Sequence, residues 1–473
     1  MILSEHKQAI RAHFDAIGDD VRRWQRRNRY YHEQVRRRFR HLVEPGRRVL
    51  ELGCGDGDLL AELAPSEGVG IDFSEKQIES ARAAHPQLRF IVADAEGIAS
   101  LSLGTFDYII LSELTGYLED IQQCLITLRA LCHEGTRVII GQYNFLWQAV
   151  LGLGEWLGMK MPTPLQSWLM LSDLTNLLEL ADYDVVKRER YLLFPKYVPL
   201  LSWALNHLGH LPGLNTLCLS QTVVARMRSA RAVEPLSATI LIPCRNERGN
   251  IVAAVERLPA FGTAQEILFV DGHSTDGTQD EIAAVIAANP EKNIRLIHQQ
   301  GKGKGDAVRL GFAQATGDVL MILDADLTVP PEDLPKFHEA VASNKAEFVN
   351  GSRLVYPLES EAMRTLNMIA NKTFALTFSW LLGQRLKDTL CGTKVLRRTH
   401  YEAIVRNRGY FGNFDPFGDF DLLFGASKLN LKILEIPVRY RNRSYGETKI
   451  DRFRHGWLLL RMVAYAYRKL KSA

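Results

Sequence analysis

The chain has 473 residues, 46% of them hydrophobic and 24% charged. That is too long for one ordinary core and ordinary in composition for globular protein, so two or three domains are expected. Fixed-period repeats and low-complexity tracts are excluded, as is a transmembrane helix, because no apolar run reaches about 18 residues. The net charge of +4 is uneven: residues 1–45 carry +5, residues 436–473 carry +8, and the middle carries −9. Basic ends on an acidic body suit an anionic contact, either a membrane surface or nucleic acid, and equally a merely solvated face.

In chain order, Phe14, Ile17, Val21, Trp24, Tyr31, Val35 and Leu42 recur at helical spacing among arginines, which predicts a helical lead-in over residues 1–44 that ends at Pro45-Gly46. It lacks the apolar run of a signal peptide, and the six scattered cysteines form no zinc-ligand or C-x-x-C spacing, so reduced thiols in a cytoplasmic protein are expected. Strand-like runs follow at 48–52, 68–72, 89–93, 106–112 and 136–141, with helical stretches between them, including Ser74 to Ala84. Such alternation predicts a parallel sheet covered by helices. Residues 145–228 are apolar, aromatic and broken by Pro and Gly, which suits a lid, a membrane-touching cap or a plain subdomain. Periodicity stops at 229–237, the expected linker. A second alternation occupies 238–473, with strands at 238–244, 266–272, 295–299, 318–326 and 347–353. The fold class is therefore α/β, with two domains in tandem.

After the first strand comes Glu51-Leu52-Gly53-Cys54-Gly55-Asp56-Gly57. Three glycines in five positions let backbone turn tightly and approach a ligand, and the helix that follows aims its N-terminus there. Asp72, at the end of the next strand, is placed to accept both hydroxyls of a ribose. A dinucleotide-binding dehydrogenase would show G-x-G-x-x-G, and the Gly53-Gly55-Asp58 spacing departs from it. ELGCGDGD, GIDFSEKQIESAR and VADAEGI resemble class I S-adenosylmethionine-dependent methyltransferases over about residues 45–145. The resemblance implies a Rossmann-like fold and S-adenosylmethionine as cofactor. Gly53, Gly55 and Gly57 would lie at its methionine part, Asp72 at the ribose, and Asp94 with Ala95 at the adenine, with Glu51 a further cofactor-binding residue. Ser112 and Glu113 would lie on the acceptor side, and Tyr30, Tyr31 and His32 are candidates to cap the cofactor.

In the second half, Asp324-Ala325-Asp326 ends an apolar strand. Two acids at i and i+2 at a strand end can reach one hard cation, Mg²⁺ or Mn²⁺, together with diphosphate oxygens. IPCRNERGNI, VDGHSTDGT, GKGKGDAVRLGFAQATGD and GSRL occur in an order that resembles glycosyltransferase family 2, with its GT-A fold. DTLCGTKVLRR and LEIPVRYRNRSYGETK narrow the resemblance to dolichyl-phosphate glucosyltransferases and dolichol-phosphate mannose synthases. It implies that Pro243, Asn246, Glu247 and Asp271 line the nucleotide and that Lys304 lies near its phosphates. Asp324 and Asp326 would hold the metal, Arg353 and Arg364 would meet the acceptor phosphate, and Arg443 and Lys449 would close over the diphosphate. Many relatives carry two consecutive Asp where this chain has Asp271-Gly272. The expected reaction is inverting transfer from a nucleotide sugar, UDP-linked in preference to GDP-linked, to a polyprenyl phosphate or a glycan.

A hydroxyl acceptor would need a general base, for which Asp421 and Asp388 are the candidates; a lipid phosphate needs none. A first half that binds the cofactor without turning it over is the competing reading. Thr365–Leu382 and the basic, aromatic C-terminal tail suit a peripheral position on the inner face of the membrane. A nucleic-acid partner is not expected: the arginine run 22–40 is not accompanied by aromatic stacking motifs on a sheet face.

Overall fold

A computed structural model of the chain describes residues 5–164, 166–229, 232–353, 365–410, 420–439 and 452–471. The chain divides into two compact units, one ending at Arg228 and the other beginning at Ser229.

The first unit is built on a seven-stranded sheet: β1 (Arg48–Leu52), β2 (Glu67–Asp72), β3 (Arg89–Val92), β4 (Phe106–Ser112), β5 (Cys132–Tyr143), β6 (Tyr183–Tyr191) and β7 (Ser220–Met227), in the order β3-β2-β1-β4-β5-β7-β6. The first five strands pair in parallel, and β7 runs antiparallel to both β5 and β6. Parallel strands covered on both faces read as continuous apolar runs. Accordingly Leu50, Leu52, Ile109 and Leu111 fill a core on one face, while Val49, Ile110 and Ile139 fill another on the opposite face. Burial of each such side chain contributes about 1.5–3 kcal/mol. The helix Glu75–Ala84 is N-capped by Ser74, whose Oγ accepts from the Gln77 N–H. The lead-in forms two helices, Glu5–Arg27 and Arg29–Leu42, that break at Asn28.

Part of the 145–228 segment is therefore sheet rather than lid. Strands β6 and β7 complete the first sheet, and the helices Gln148–Trp156, Leu171–Leu180 and Leu201–Gly209 lie between β5 and β7 in sequence.

The second unit has its own seven-stranded sheet: β8 (Ala238–Cys244), β9 (Gln265–Asp271), β10 (Asn293–His298), β11 (Val319–Ile322), β12 (Phe348–Ser352), β13 (Lys394–Arg397) and β14 (Ile433–Pro437), in the order β10-β9-β8-β11-β13-β12-β14. Only β13 is antiparallel to its neighbours. Side chains again alternate between two cores, Leu241, Leu268 and Leu320 on one face, Ile240, Phe269 and Met321 on the other. Strand β11 stops at Ile322, short of the expected 318–326, because the chain turns away at the acid pair. Helices Thr365–Leu382 and Arg452–Leu470 send Phe378, Leu381, Leu459, Met462 and Ala466 into the core, and Trp380 stacks on Tyr467 at 5.8 Å. One side of the C-terminal helix is thus ordinary core, whereas Trp457 and Leu460 stay exposed. Among the described residues no helix is long and apolar enough to cross a membrane. All six cysteines are buried and free.

Candidate active sites

In the first unit the carboxyl ends of β1, β2, β3 and β4 face a cavity of about 670 Å³, within the size range of small-molecule sites. Gly53, Gly55 and Gly57 have φ of +68°, +51° and +76°, the left-handed region that favours glycine. Their faces differ. A Cβ on Gly55 would point into open space beside Gln77 and fill the cavity. One on Gly57 would meet Phe90 at 2.6 Å, so Gly57 serves helix-on-sheet packing and does not approach the cavity as the resemblance implied.

The Asp72 carboxylate lies at the cavity and accepts from the Gly55 N–H at 3.0 Å and the Ser74 N–H at 2.9 Å. Burial raises its pKa against those two bonds. Glu51 is buried, with one carboxyl oxygen lacking a partner, and burial followed by the nearby Asp56 pushes its pKa well up. Asp94 also lines the cavity, and its Oδ1 accepts from the Glu96 N–H at 3.0 Å. Ala95, next to it, is buried at the cavity edge. An orphaned buried acid, a glycine that leaves room and two further carboxylates fit a ligand with a cationic amino-acid end and a ribose. S-adenosylmethionine has both.

The N-terminal helix completes this cavity, which sequence reasoning missed. Lys7 pairs with Asp94 at 2.5 Å and with Glu96. Burial alone would lower the Lys7 pKa, but those two acids raise it. Asp15 accepts from Ser74 Oγ at 2.6 Å, and Phe14 packs edge-on to Tyr117 with ring centroids 5.6 Å apart. Opposite-charge and aromatic partners spaced far apart in sequence leave no local signal.

Beyond β4, Glu113 sits at φ +56°, uncommon for a non-glycine residue and a mark of local strain. Tyr143 Oη donates to Glu113 at 2.9 Å, and Tyr31 Oη donates to its other oxygen. Burial, then Glu113, raises the pKa of both tyrosines, so they remain phenols. His32 lines the same cavity, and burial lowers its pKa despite Glu113. Tyr30 instead faces Tyr197 and Asn206.

In the second unit Asp324 lies at the focus of three cations. Lys304, at the start of the helix Lys304–Gln314, reaches its carboxylate at 2.5 Å. Burial would raise the Asp324 pKa, but Lys304, Lys394 and Arg353 together hold it below the usual carboxylate range. A Cβ on Gly392 would overlap the Asp324 carboxylate and come within 2.6 Å of Lys304 Nζ, so DTLCGTK needs its glycine where the backbone crosses the acid. Asp326 accepts from the Thr328 N–H at 3.1 Å and from its hydroxyl at 2.8 Å. No group of three or more metal-ligating side chains occurs among the described residues. Two carboxylates, one of them already holding an ammonium, still fit a hard cation whose remaining ligands are phosphate oxygens and water.

Asp388 is fully buried and binds Arg353 through two bonds, 2.7 and 2.8 Å. Burial works against that carboxylate, yet Arg353 lowers its pKa. Arg353 is therefore tied to Asp388, a partner not foreseen from sequence. Asp421 lies 3.1 Å from Arg309 and 3.8 Å from Arg408. Neither candidate base is an uncommitted carboxylate. Glu435, from LEIP, accepts from the backbone N–H groups of Lys387 and Asp388 at 2.7 and 3.0 Å and so fixes the loop that carries Asp388.

At the other edge, Asn246 has φ +55°, and its Oδ1 accepts from the Thr275 N–H. Glu247 accepts from Asn250 Nδ2 at 2.8 Å. Asp271 turns into its own loop, accepting from the His273 N–H at 3.1 Å and from Gln279 Nε2 at 2.6 Å. Pro243 is half-buried near the end of β8. Arg364, Arg443 and Lys449 lie outside the described residues.

A family model described as "Glycosyl transferase family 2" matches residues 239–411, and one described as "Methyltransferase domain" matches residues 23–188. Among similar proteins, a dolichyl-phosphate hexose transferase of Haloferax volcanii is 32% identical over 210 residues, 44% of this chain and 82% of that one. A dolichol-phosphate mannosyltransferase of Pyrococcus furiosus is 29% identical over 243 residues, 50% of this chain. The match spans 64% of the Pyrococcus protein, less than two thirds of its length. Glucosyl-3-phosphoglycerate synthase from Mycobacterium tuberculosis overlays 50% of this chain and 80% of its own at 17% identity and a TM-score of 0.36. The chain belongs to glycosyl transferase family 2, with a methyltransferase domain preceding the glycosyltransferase on the same polypeptide.

Proposed function

We propose that the second unit transfers a hexose from a UDP-linked sugar to a polyprenyl phosphate at a membrane surface, and that the first unit transfers a methyl group from S-adenosylmethionine. The carrying observation is how charge is allotted around Asp324. Lys304, Lys394 and Arg353 surround it, while Asp388 and Asp421, the acids that could deprotonate a hydroxyl, are committed to guanidinium groups. An acceptor that arrives as an anion needs no base and is drawn by the same cations that hold a diphosphate. The polyprenyl-type phosphates in the names of the relatives agree with this reading.

Asp324 and Asp326 would hold Mg²⁺ or Mn²⁺, which when bound stabilises charge on the leaving diphosphate. Lys304 then answers the phosphates, and Gly392 keeps backbone clear of the acid pair. Arg353, oriented by Asp388, contributes field at the acceptor side, and Arg364 would join it. Asp271 and Asn246 shape the nucleotide loop. The preference for UDP rests on the likeness of DTLCGTK to the glucosyltransferase pattern. In the first unit Asp72 would take the ribose, Glu51 the methionine amino group and Asp94 with Ala95 the adenine.

The test is release of nucleoside diphosphate from a panel of UDP- and GDP-sugars, with polyprenyl phosphate or the matching polyprenol as acceptor. Transfer from a UDP-sugar to the phosphate alone is expected. Equal transfer to the free alcohol would overturn the acceptor, and faster use of GDP-mannose would overturn the donor. For the first unit, calorimetric binding of S-adenosylmethionine is expected, and its absence would overturn the cofactor.

A further inference from the structure

Two helices of the first unit leave apolar side chains in water. Gln148–Trp156, sequence QAVLGLGEW, buries none of its nine residues, and Leu201–Gly209 buries only Ser202 and Gly209. Trp156 is 80% exposed, Leu200 84%, Tyr197 69% and Trp203 64%. One exposed leucine means little, but a cluster of large apolar side chains marks a surface that meets something.

These residues flank one opening. Leu153 and Leu157, on and just after the first helix, line the 670 Å³ cavity, as do Phe194, Pro195 and Lys196, which lead to the second. Asn28 ties the two sides together: its Nδ2 donates to the Met159 carbonyl at 3.4 Å, and its Oδ1 accepts from Lys196 Nζ at 2.5 Å. Trp147 Nε1 donates to the Leu217 carbonyl at 2.8 Å, a third tie. Glu113 and Asp72 line the same cavity, so the apolar rim leads to the acids placed for chemistry.

The rim is also basic. Arg27 stands over the Trp24 ring at 5.4 Å, and burial followed by the proximity of Arg27 lowers the Lys196 pKa. Arg23 and Arg26 precede Arg27 on the same helix, whereas Arg22 reaches the Ser80 carbonyl elsewhere. Tryptophan and tyrosine beside leucines, with a cationic border, are complementary to the headgroup layer of an anionic bilayer.

We propose that this face seats in the interfacial layer of an anionic bilayer, and that the methyl acceptor is an amphiphile taken from that layer, its apolar part passing between Leu157 and Phe194. The proposal rests on reading the first unit as a methyltransferase. It assigns a membrane contact to this unit, independent of the C-terminal helix.

The full chain is tested with Trp156→Cys and, separately, Leu200→Cys, each carrying an environment-sensitive fluorophore. The six native cysteines are buried, so labelling is selective. Vesicles of phosphatidylcholine containing phosphatidylglycerol should blue-shift both labels, and nitroxide lipids should quench them. Because the labels report locally, attachment through the C-terminal helix cannot imitate this. Labels that stay in water when the protein is bound to vesicles overturn the proposal, as does shielding that depends on protein concentration and needs no lipid, which marks a second copy.

The acceptor is tested with S-adenosylmethionine labelled in its methyl group, offered an organic-solvent lipid extract of the source cells in such vesicles or the aqueous extract. Label should enter the organic fraction and fall about tenfold or more in W156E/L200E, with cofactor affinity unchanged by calorimetry. Label confined to the aqueous fraction and indifferent to the double variant overturns the inference and leaves methyl transfer standing. Failure of the unsubstituted chain to bind the cofactor overturns the methyltransferase reading itself.

Discussion

Gly392→Ala puts a methyl group where the glycosyltransferase site has no space. Gly392 does not use the left-handed region, so alanine is tolerated by the backbone and the effect is steric. The added Cβ would lie 2.7 Å from Asp324 Cγ and 2.6 Å from Lys304 Nζ, where ordinary contact begins at 3.4 Å. The ammonium must therefore retreat by about 0.8 Å, and the carboxylate by more than that, because its Oδ2 would overlap the new methyl group outright. Lys304 can swing on a long stem. Asp324 cannot, because its side chain is short and its backbone continues from β11 in the centre of the sheet. Misplacing a reactive constellation by about 1 Å costs on the order of 100-fold in rate, about 2.7 kcal/mol of transition-state stabilisation. The folding cost of one extra methyl group in a packed site is about 1–3 kcal/mol, tolerable against a typical total of about 5–15 kcal/mol. The assay is nucleoside diphosphate release with polyprenyl phosphate, alongside urea unfolding. Gly409→Ala, with nothing within 4 Å of its Cβ, is the neutral control. Transfer by G392A within about threefold of the unsubstituted enzyme would show that Asp324 need not sit where the structure has it.

Asp326→Asn should abolish sugar transfer and leave S-adenosylmethionine binding intact; surviving transfer with the same dependence on divalent ions would defeat the metal assignment. Asp72→Ala and Gly55→Val should each weaken S-adenosylmethionine binding, the first by removing the ribose acceptor and the second by filling the cavity; calorimetry checks both, and unchanged affinity in either counts against the site. Asp388→Asn should lower stability by about 3–5 kcal/mol, because it leaves the Arg353 guanidinium poorly compensated in a buried place. The Asp388 carboxyl is held below its unfolded value of about 3.9, so its contribution is full above that pH and is lost as pH falls through the lower folded value. Urea midpoints for the two proteins should therefore differ at neutral pH and converge only in acid, and a gap that persists unchanged below that range would refute the ionic account.

What could be read from sequence was what neighbours in sequence decide. The glycine turn after β1, the acid that ends β2 and the apolar runs of the parallel strands are local patterns, and the structure has the corresponding elements. Strands β6 and β7 escaped because they bury charge. Lys187 and Glu189 of β6 are both buried, and Glu189 pairs with Arg38, 151 residues away. A strand whose inward side chains are ionic shows no apolar alternation, so the hydrophobic pattern that signals a strand is missing. The arginine partners of Asp388 and Asp421 escaped for a related reason. An acid near a catalytic motif looks like a base until its arginine is known, and those arginines lie 35 and 112 residues away.

The same distance explains why the late motifs of the second half belong with the early ones. Glu435 fixes the backbone at 387–388, Asp388 takes both Nε and Nη2 of Arg353, and Arg353 with Lys304 and Lys394 sets the field at Asp324. The Arg353–Asp388 link is buried or nearly so, where losing one partner strands the other and costs more than the bond itself is worth. These contacts support a positioning role for Asp388, and Asp388→Glu distinguishes that role from general-base chemistry. A base one methylene longer should retain part of its activity along with its pH profile, whereas a displaced Arg353 should raise KM for polyprenyl phosphate and leave the pH profile unmoved. A KM that stays constant while the acid limb of the profile shifts would return Asp388 to the role of base.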